Sequence, residues 1–207
     1  MGRRRFEVAS GRLRDFRLAF AARLWWMLRY LGHDEVRVLN GVYTACKRAG
    51  LPVTTETPSH DAGDFSANPA PELLVDRDQM LALLRIGSES TLIVDARERK
   101  RFRGEHEPIA GHIPTAICYP WQDFTTTDDM AISDHENRAR WSAFDTAMPA
   151  VVYCGSGVTA CVDILSLYAA GFEHVKLYGG SWSDWCSFSD SPIAVGDAVS
   201  EIDPRQE

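Results

Sequence analysis

The sequence predicts an α/β fold, a parallel sheet flanked by helices on both faces, and three observations predict it. Short apolar, β-branched runs at residues 91–95, 116–118, 151–153 and 175–177 read as buried strands. Helix signatures at 76–84, at about 134–147 and at 159–170 alternate with them, the alternation that a parallel sheet requires. The chain has 207 residues and is 45 % hydrophobic, enough to bury both faces of one sheet.

Each element has a local cause. Residues 16–31 read as a helix that is apolar nearly all round, stopped by Gly32. Residues 36–39 read as a short strand and 43–49 as a short helix closed by Gly50. This helix–strand–helix set has no sheet of its own, so residues 1–50 are expected to be the remnant of a second such domain. Residues 51–75 carry Pro52, Pro58, Pro69 and Pro71 among Ser, Thr and Asp, and read as a linker. Residues 76–195 then form the complete domain, and 196–207 a tail. Within that domain, Ser133-Asp134-His135-Glu136 is a capping box that opens the middle helix. Gly171 closes the 159–170 helix.

Composition narrows the function classes. The formal net charge is −7, yet residues 1–50 hold eleven Lys/Arg against four Asp/Glu. Arg3-Arg4-Arg5 is not followed by the apolar core of a secretory signal, and Glu7 and Asp15 argue against a mitochondrial presequence. The basic segment therefore reads as a solvated helix face rather than a nucleic-acid surface. The most apolar stretch, 18–31, is broken by Arg23 and Arg29, so no membrane span is expected. The five cysteines show no Cys-x-x-Cys spacing, so neither metal nor cofactor is expected, and a reducing cytoplasm fits.

The residues that carry chemistry lie at 151–159. An apolar strand runs into Cys154, then Gly155-Ser156-Gly157, then Val158-Thr159 and a helix. At such a junction successive backbone N–H groups and the positive end of the helix dipole converge, favouring the thiolate, the nucleophilic form. Glycines directly after Cys154 let the backbone curl inward, whereas Cys46, Cys118 and Cys161 read as core packing. At the end of the 91–95 strand, Arg97, Arg99, Lys100, Arg101 and Arg103 crowd within seven positions, as suits an anionic substrate. Arg97 and Arg101 are the candidate anchors; Arg99, Lys100 and Arg103 read as a solvated helix face. His112, between Gly111 and Ile113-Pro114, reads as a hydrogen-bonding turn residue more readily than as a base. Trp182 and Trp185 read as packing.

Five ordered motifs then resemble a known family. Asp95-Ala96-Arg97, Arg101-Phe102-Arg103-Gly104, Gly111-His112-Ile113-Pro114, Cys154-Gly155-Ser156-Gly157-Val158-Thr159 and Gly180-Ser181-Trp182-Ser183-Asp184-Trp185 are similar to the catalytic second domain of tandem rhodanese-type sulfurtransferases. The Cys154–Thr159 loop is more similar to the 3-mercaptopyruvate type than to the thiosulfate type. Residues 19–50 resemble the tail of the family's first domain. Thr115 stands where the family usually has glycine, Cys118 where it has asparagine, and Gly179 where it has aspartate.

The resemblance implies a rhodanese-like fold and a roster of roles. Cys154 would accept sulfane sulfur as a persulfide, and loop amides from Gly155 through Gly157 and Val158 to Thr159 would stabilise it. Ser156 would handle a proton, and Arg97 and Arg101 would grip the carboxylate of 3-mercaptopyruvate or the charge of thiosulfate. Thioredoxin, glutathione or cyanide would then collect the sulfur. The competing expectation is a catalytically weakened module that binds or regulates a partner. A cysteine phosphatase is excluded, because Cys-x5-Arg would need an arginine where Ala160 stands. With most of the first domain missing, Trp25, Trp26, Leu28 and Leu31 are expected to leave an apolar patch, and a homodimer through residues 16–50 to cover it.

Overall fold

A computed structural model describes residues 18–197 except 58, 60, 62, 88, 89, 107 and 108. The basic start, Phe16 and most of the expected tail lie outside the described residues. Among the described residues, five strands form one parallel sheet: β1 (Leu74–Val75), β2 (Leu92–Asp95), β3 (Ile117–Cys118), β4 (Ala150–Tyr153) and β5 (Val175–Tyr178). Their spatial order is β1-β5-β4-β2-β3. β2 and β4 sit at the centre, and their register pairs Leu92 with Ala150 and Asp95 with Tyr153, so both strands end level.

The alternation of side chains along each strand feeds two cores. Leu92, Val94, Ala150 and Val152 pack under α1 (Ala19–Tyr30), α5 (Asp134–Trp141) and α6 (Ala160–Ala170). Ile93, Val151 and Tyr153 face the other way, toward α3 (Arg77–Ile86), the single turn α4 (Arg99–Phe102) and α7 (Ser181–Trp185). Burial on both faces is why these strands are continuously apolar in sequence. Two capping boxes open helices: Asp76 with Gln79 at α3, and Ser133 with Glu136 at α5. Hydrogen bonds from Ser133 hold the Glu136 carboxyl below its ordinary pKa.

The structure differs from the sequence expectations in four places. Residues 36–39 are not a strand: Val36 and Val38 pack against the core, but neither sheet edge lies alongside to supply a ladder. The expected linker ends early, because Leu74 and Val75 pair with Leu177 and Tyr178 as β1. α5 ends at Trp141 rather than near 147, since the Ser142 hydroxyl turns back onto the Ala139 carbonyl and Asp145 accepts the Ala147 N–H. The expected apolar patch is covered at its two tryptophans, while Leu28 and Leu31 stay half-buried. α1 lies along α6, leaving Trp25 and Trp26 only 6 % and 5 % exposed, with Trp25 edge-on to Tyr168. α2 (Val42–Arg48) follows α1, and Asn40 before it accepts the Ala131 N–H at 2.7 Å.

Candidate active site

β4 delivers Cys154 to the C-terminal edge of the sheet, where ligands of such folds bind. Its backbone is held on both sides. The Cys154 N–H donates to Ser181 Oγ at 3.2 Å, and its carbonyl accepts from the Trp182 N–H at 2.9 Å. The next carbonyl, of Gly155, accepts from the Ser183 N–H at 3.0 Å. Ser181 sits in the left-handed region (φ +57°) and donates its hydroxyl to the Tyr178 carbonyl, so the β5–α7 turn becomes a brace for the Cys154 loop.

The loop itself curls at Gly157, whose φ is +78°. A Cβ there would lie 2.5 Å from the Gly179 carbonyl oxygen, so only glycine fits. Thr159 caps α6 without a side-chain hydrogen bond. Among the described residues, the N–H groups of residues 155–159 donate to no protein acceptor. Together with the N-terminus of α6 they are free to serve an anion.

A cavity of about 600 Å³ opens over this loop. Cys154, Gly155, Ser156, Val158 and Thr159 form its floor, and Arg101 of α4 reaches across. A Cβ on Gly155 would lie 2.9 Å from Arg101 Nη2, so the guanidinium rests directly on that glycine. Arg101 is half-buried and lies 3.7 Å from Glu98. Trp182, Ser183 and Cys186 close the α7 side, and Phe20 of α1 and Ile109 supply an apolar rim.

α1 also reaches beneath the loop. Arg23 Nη1 donates to the Gly157 carbonyl at 3.2 Å and to Cys161 Sγ at 3.8 Å. Burial pushes the Cys161 thiol up to about 12 in spite of that cation, and burial together with the nearby Asp95 charge pushes Cys118 up to about 12. Both therefore stay protonated at neutral pH.

Most of the residues expected from sequence thus meet in one place: Cys154, Gly155, Ser156, Val158, Thr159 and Arg101. Gly157 shapes the loop from behind rather than lining the cavity. Arg97 is a correction. Its side chain is fully buried and paired with Asp95, and it does not line the cavity. An arginine two residues after a strand-terminal aspartate folds back onto it, and that spacing was the available signal. His112 is structural as read, its Nδ1 3.0 Å from the Phe102 carbonyl and its ring stacked on Phe102 at 3.6 Å. Sequence reasoning missed Phe20, Ile109, Ser181 and Cys186. Only Ser181 had a signal, as the residue between Gly180 and Trp182 in a motif otherwise left without a role.

Residues 77–188 match the family of rhodanese-like domains. The chain belongs to the rhodanese-like family. A probable 3-mercaptopyruvate sulfurtransferase from Pseudomonas aeruginosa is 42 % identical over 186 residues, covering 86 % of this chain and 65 % of that protein. Thiosulfate sulfurtransferase from Gallus gallus is 36 % identical, covering 80 % and 58 %. The chain thus spans about three-fifths of the length of these relatives. Among solved structures, the anaerobic ergothioneine biosynthesis enzyme from Chlorobium limicola, bound to trimethyl histidine, superposes with a TM-score of 0.76 at 26 % identity, covering 85 % of this chain and 45 % of that one. Among the described residues, no helix is long and apolar enough to cross a membrane.

Proposed function

We propose that this rhodanese-like chain is a sulfurtransferase that carries sulfane sulfur on Cys154. The observation that supports it best is the shared cavity: a cysteine on a curled loop with unengaged amides, under an arginine resting on the adjacent glycine. Cys154 thiolate attacks the sulfur of a small anionic donor. With thiosulfate the S–S bond breaks and sulfite leaves with the electron pair. With 3-mercaptopyruvate the C–S bond breaks, the electron pair goes to carbon, and pyruvate leaves after taking a proton. Ser156, exposed and lining the same cavity as Cys154, passes that proton in this reading. Arg101 holds the donor's negative charge, and the amides of 155–159 stabilise the persulfide anion. A thiol such as glutathione or thioredoxin, or cyanide, then removes the outer sulfur, completing a ping-pong cycle.

Two comparisons support the reading. The relatives are named for 3-mercaptopyruvate and thiosulfate sulfur transfer. A solved neighbour with a TM-score of 0.76 carries a cysteine persulfide with ergothioneine. A reducing compartment such as the cytoplasm completes the proposal, since all five cysteines are free.

Incubation with either donor plus cyanide, followed by thiocyanate measurement, tests the reading. Thiocyanate should form with the natural chain and not with Cys154→Ser, and intact mass should show one added sulfur before cyanide is supplied. No adduct from either donor would replace the enzyme reading with the binding-module one.

A further inference from the structure

The cavity over Cys154 holds a second thiol. Cys186, at the C-terminal end of α7, lines the same 600 Å³ space and is partly exposed, whereas Cys154 is 1 % exposed. Its position is tied to the nucleophile through the backbone. The Trp182 N–H is bound to the Cys154 carbonyl, and the Cys186 N–H is bound to the Trp182 carbonyl at 2.9 Å. Cys186 Sγ lies 3.8 Å from the Ser183 carbonyl, and the Ser183 N–H is in turn bound to Gly155. One helical turn therefore separates Cys186 from the residue that braces Cys154.

We propose that Cys186 is the internal acceptor of sulfur from Cys154. This deepens the sulfurtransferase reading and rests on it. The Cys186 thiolate attacks the outer sulfur of the Cys154 persulfide. A new S–S bond forms on Cys186, the bond between Cys154 and its outer sulfur breaks, and the electron pair returns to Cys154 as thiolate. No oxidant is consumed, because the sulfane sulfur only changes its carrier. The persulfide lengthens the Cys154 side chain by about 2 Å inside a cavity that Cys186 also lines. The leaving group is the sulfur beside the loop amides and the N-terminus of α6, where negative charge is favoured. Cys118 and Cys161 do not compete: neither lines the cavity, and burial pushes both up to about 12. Sulfur so moved sits on the partly exposed edge of the cavity, within reach of a bulky thiol that cannot enter it.

The test is peptide-resolved mass spectrometry of the full chain, loaded with thiosulfate or 3-mercaptopyruvate and blocked with an alkylating reagent. The natural chain should show added sulfur on both the Cys154 and the Cys186 peptides. Cys154→Ser should show it on neither, and Cys186→Ser on Cys154 alone. Cys186→Ser should also slow sulfur delivery to a protein thiol about tenfold or more, and by a larger factor than it slows delivery to cyanide. Added sulfur confined to Cys154 in the natural chain overturns the relay and leaves the sulfurtransferase reading intact. A Cys154–Cys186 disulfide with one hydrosulfide released per chain overturns it too, since the attack then falls on the inner sulfur. Sulfur on Cys186 in Cys154→Ser shows direct loading and also overturns it. No adduct anywhere overturns both readings.

Discussion

Arg97 and Asp95 form a two-pronged ion pair in which both side chains are fully buried, with Nη2 2.7 Å from Oδ2 and Nε 3.0 Å from Oδ1. Arg97 Nη2 also donates to the Gly111 carbonyl at 2.9 Å, and its guanidinium stacks over Trp182 at 4.5 Å. The pair thus ties the end of β2 to the turn before Ile113-Pro114 and to α7, and through α7 to the brace on Cys154.

Two arginines four residues apart should accordingly fail in opposite ways. Arg97→Ala leaves Asp95 buried without its counter-charge and should cost about 3–5 kcal/mol of stability. Arg101→Ala should change stability by no more than about 0.5 kcal/mol, because the side chain is half-buried at a cavity rim. It should raise KM for thiosulfate or 3-mercaptopyruvate about tenfold, the loss of one charge-assisted contact. Denaturant titration alongside initial rates separates the two, and an Arg97→Ala protein of unchanged stability would contradict the buried-pair account.

Thr115 occupies a conformation that suits glycine, with φ +64°. A β-branched residue is strained there. Thr115→Gly should stabilise the fold by about 0.5–1 kcal/mol, net of the entropy glycine loses on folding, and raise Tm by a few degrees. A lower Tm by calorimetry would show that the threonine side chain contributes more through packing than it costs in strain.

Asp163 of α6 is fully buried, and burial raises its pKa from 3.8 to about 7 although Arg140 lies 2.8 Å away. A folded state that binds this proton more tightly than the unfolded chain is favoured while the group stays protonated. Its contribution is therefore present below about pH 4 and is lost as pH rises toward about 7, with no further change above. Each tenfold difference in proton affinity is worth about 1.4 kcal/mol, so the window spans up to about 4 kcal/mol. Asp163→Asn should flatten the dependence of unfolding free energy on pH between about 4 and 7. An unaltered slope in the variant would assign the titration to another group.

Arg23→Ala removes the bonds to Gly157 and Cys161, and a stacking contact with Trp26 at 5.0 Å. The expected cost is about 1–2 kcal/mol. Because Gly157 is the pivot of the loop, the rate of sulfur loading on Cys154 should fall with it. Stopped-flow loading with thiosulfate and urea unfolding check the two effects together; loading at the natural rate would separate α1 from the loop.

The central strands and the Cys154 loop were legible because burial on both faces writes itself as an apolar run, and a sharp turn writes itself as glycine. β1 was not, since Leu74-Val75 is too short for periodicity and follows a proline-rich stretch. Residues 36–39 carried β-propensity without a partner strand, and propensity cannot supply a ladder. Around Cys154, the residues next door in sequence were found, and Arg101 with them through its basic cluster; Phe20, Ile109, Ser181 and Cys186 depend on tertiary packing and were not. Arg97 and Arg101 look alike as letters; the neighbouring aspartate at 95 is what separates a buried strut from a surface hand.

α1 has a bearing on modularity. It was read from sequence as left over from elsewhere, yet it supplies Phe20 to the rim and Arg23 to the underside of the turn after Cys154. The smallest piece transferable to another protein with the Cys154 loop still supported therefore begins at this helix rather than at β1. Excision at the intervening proline-rich stretch would sever a strut of the very loop the graft was meant to carry.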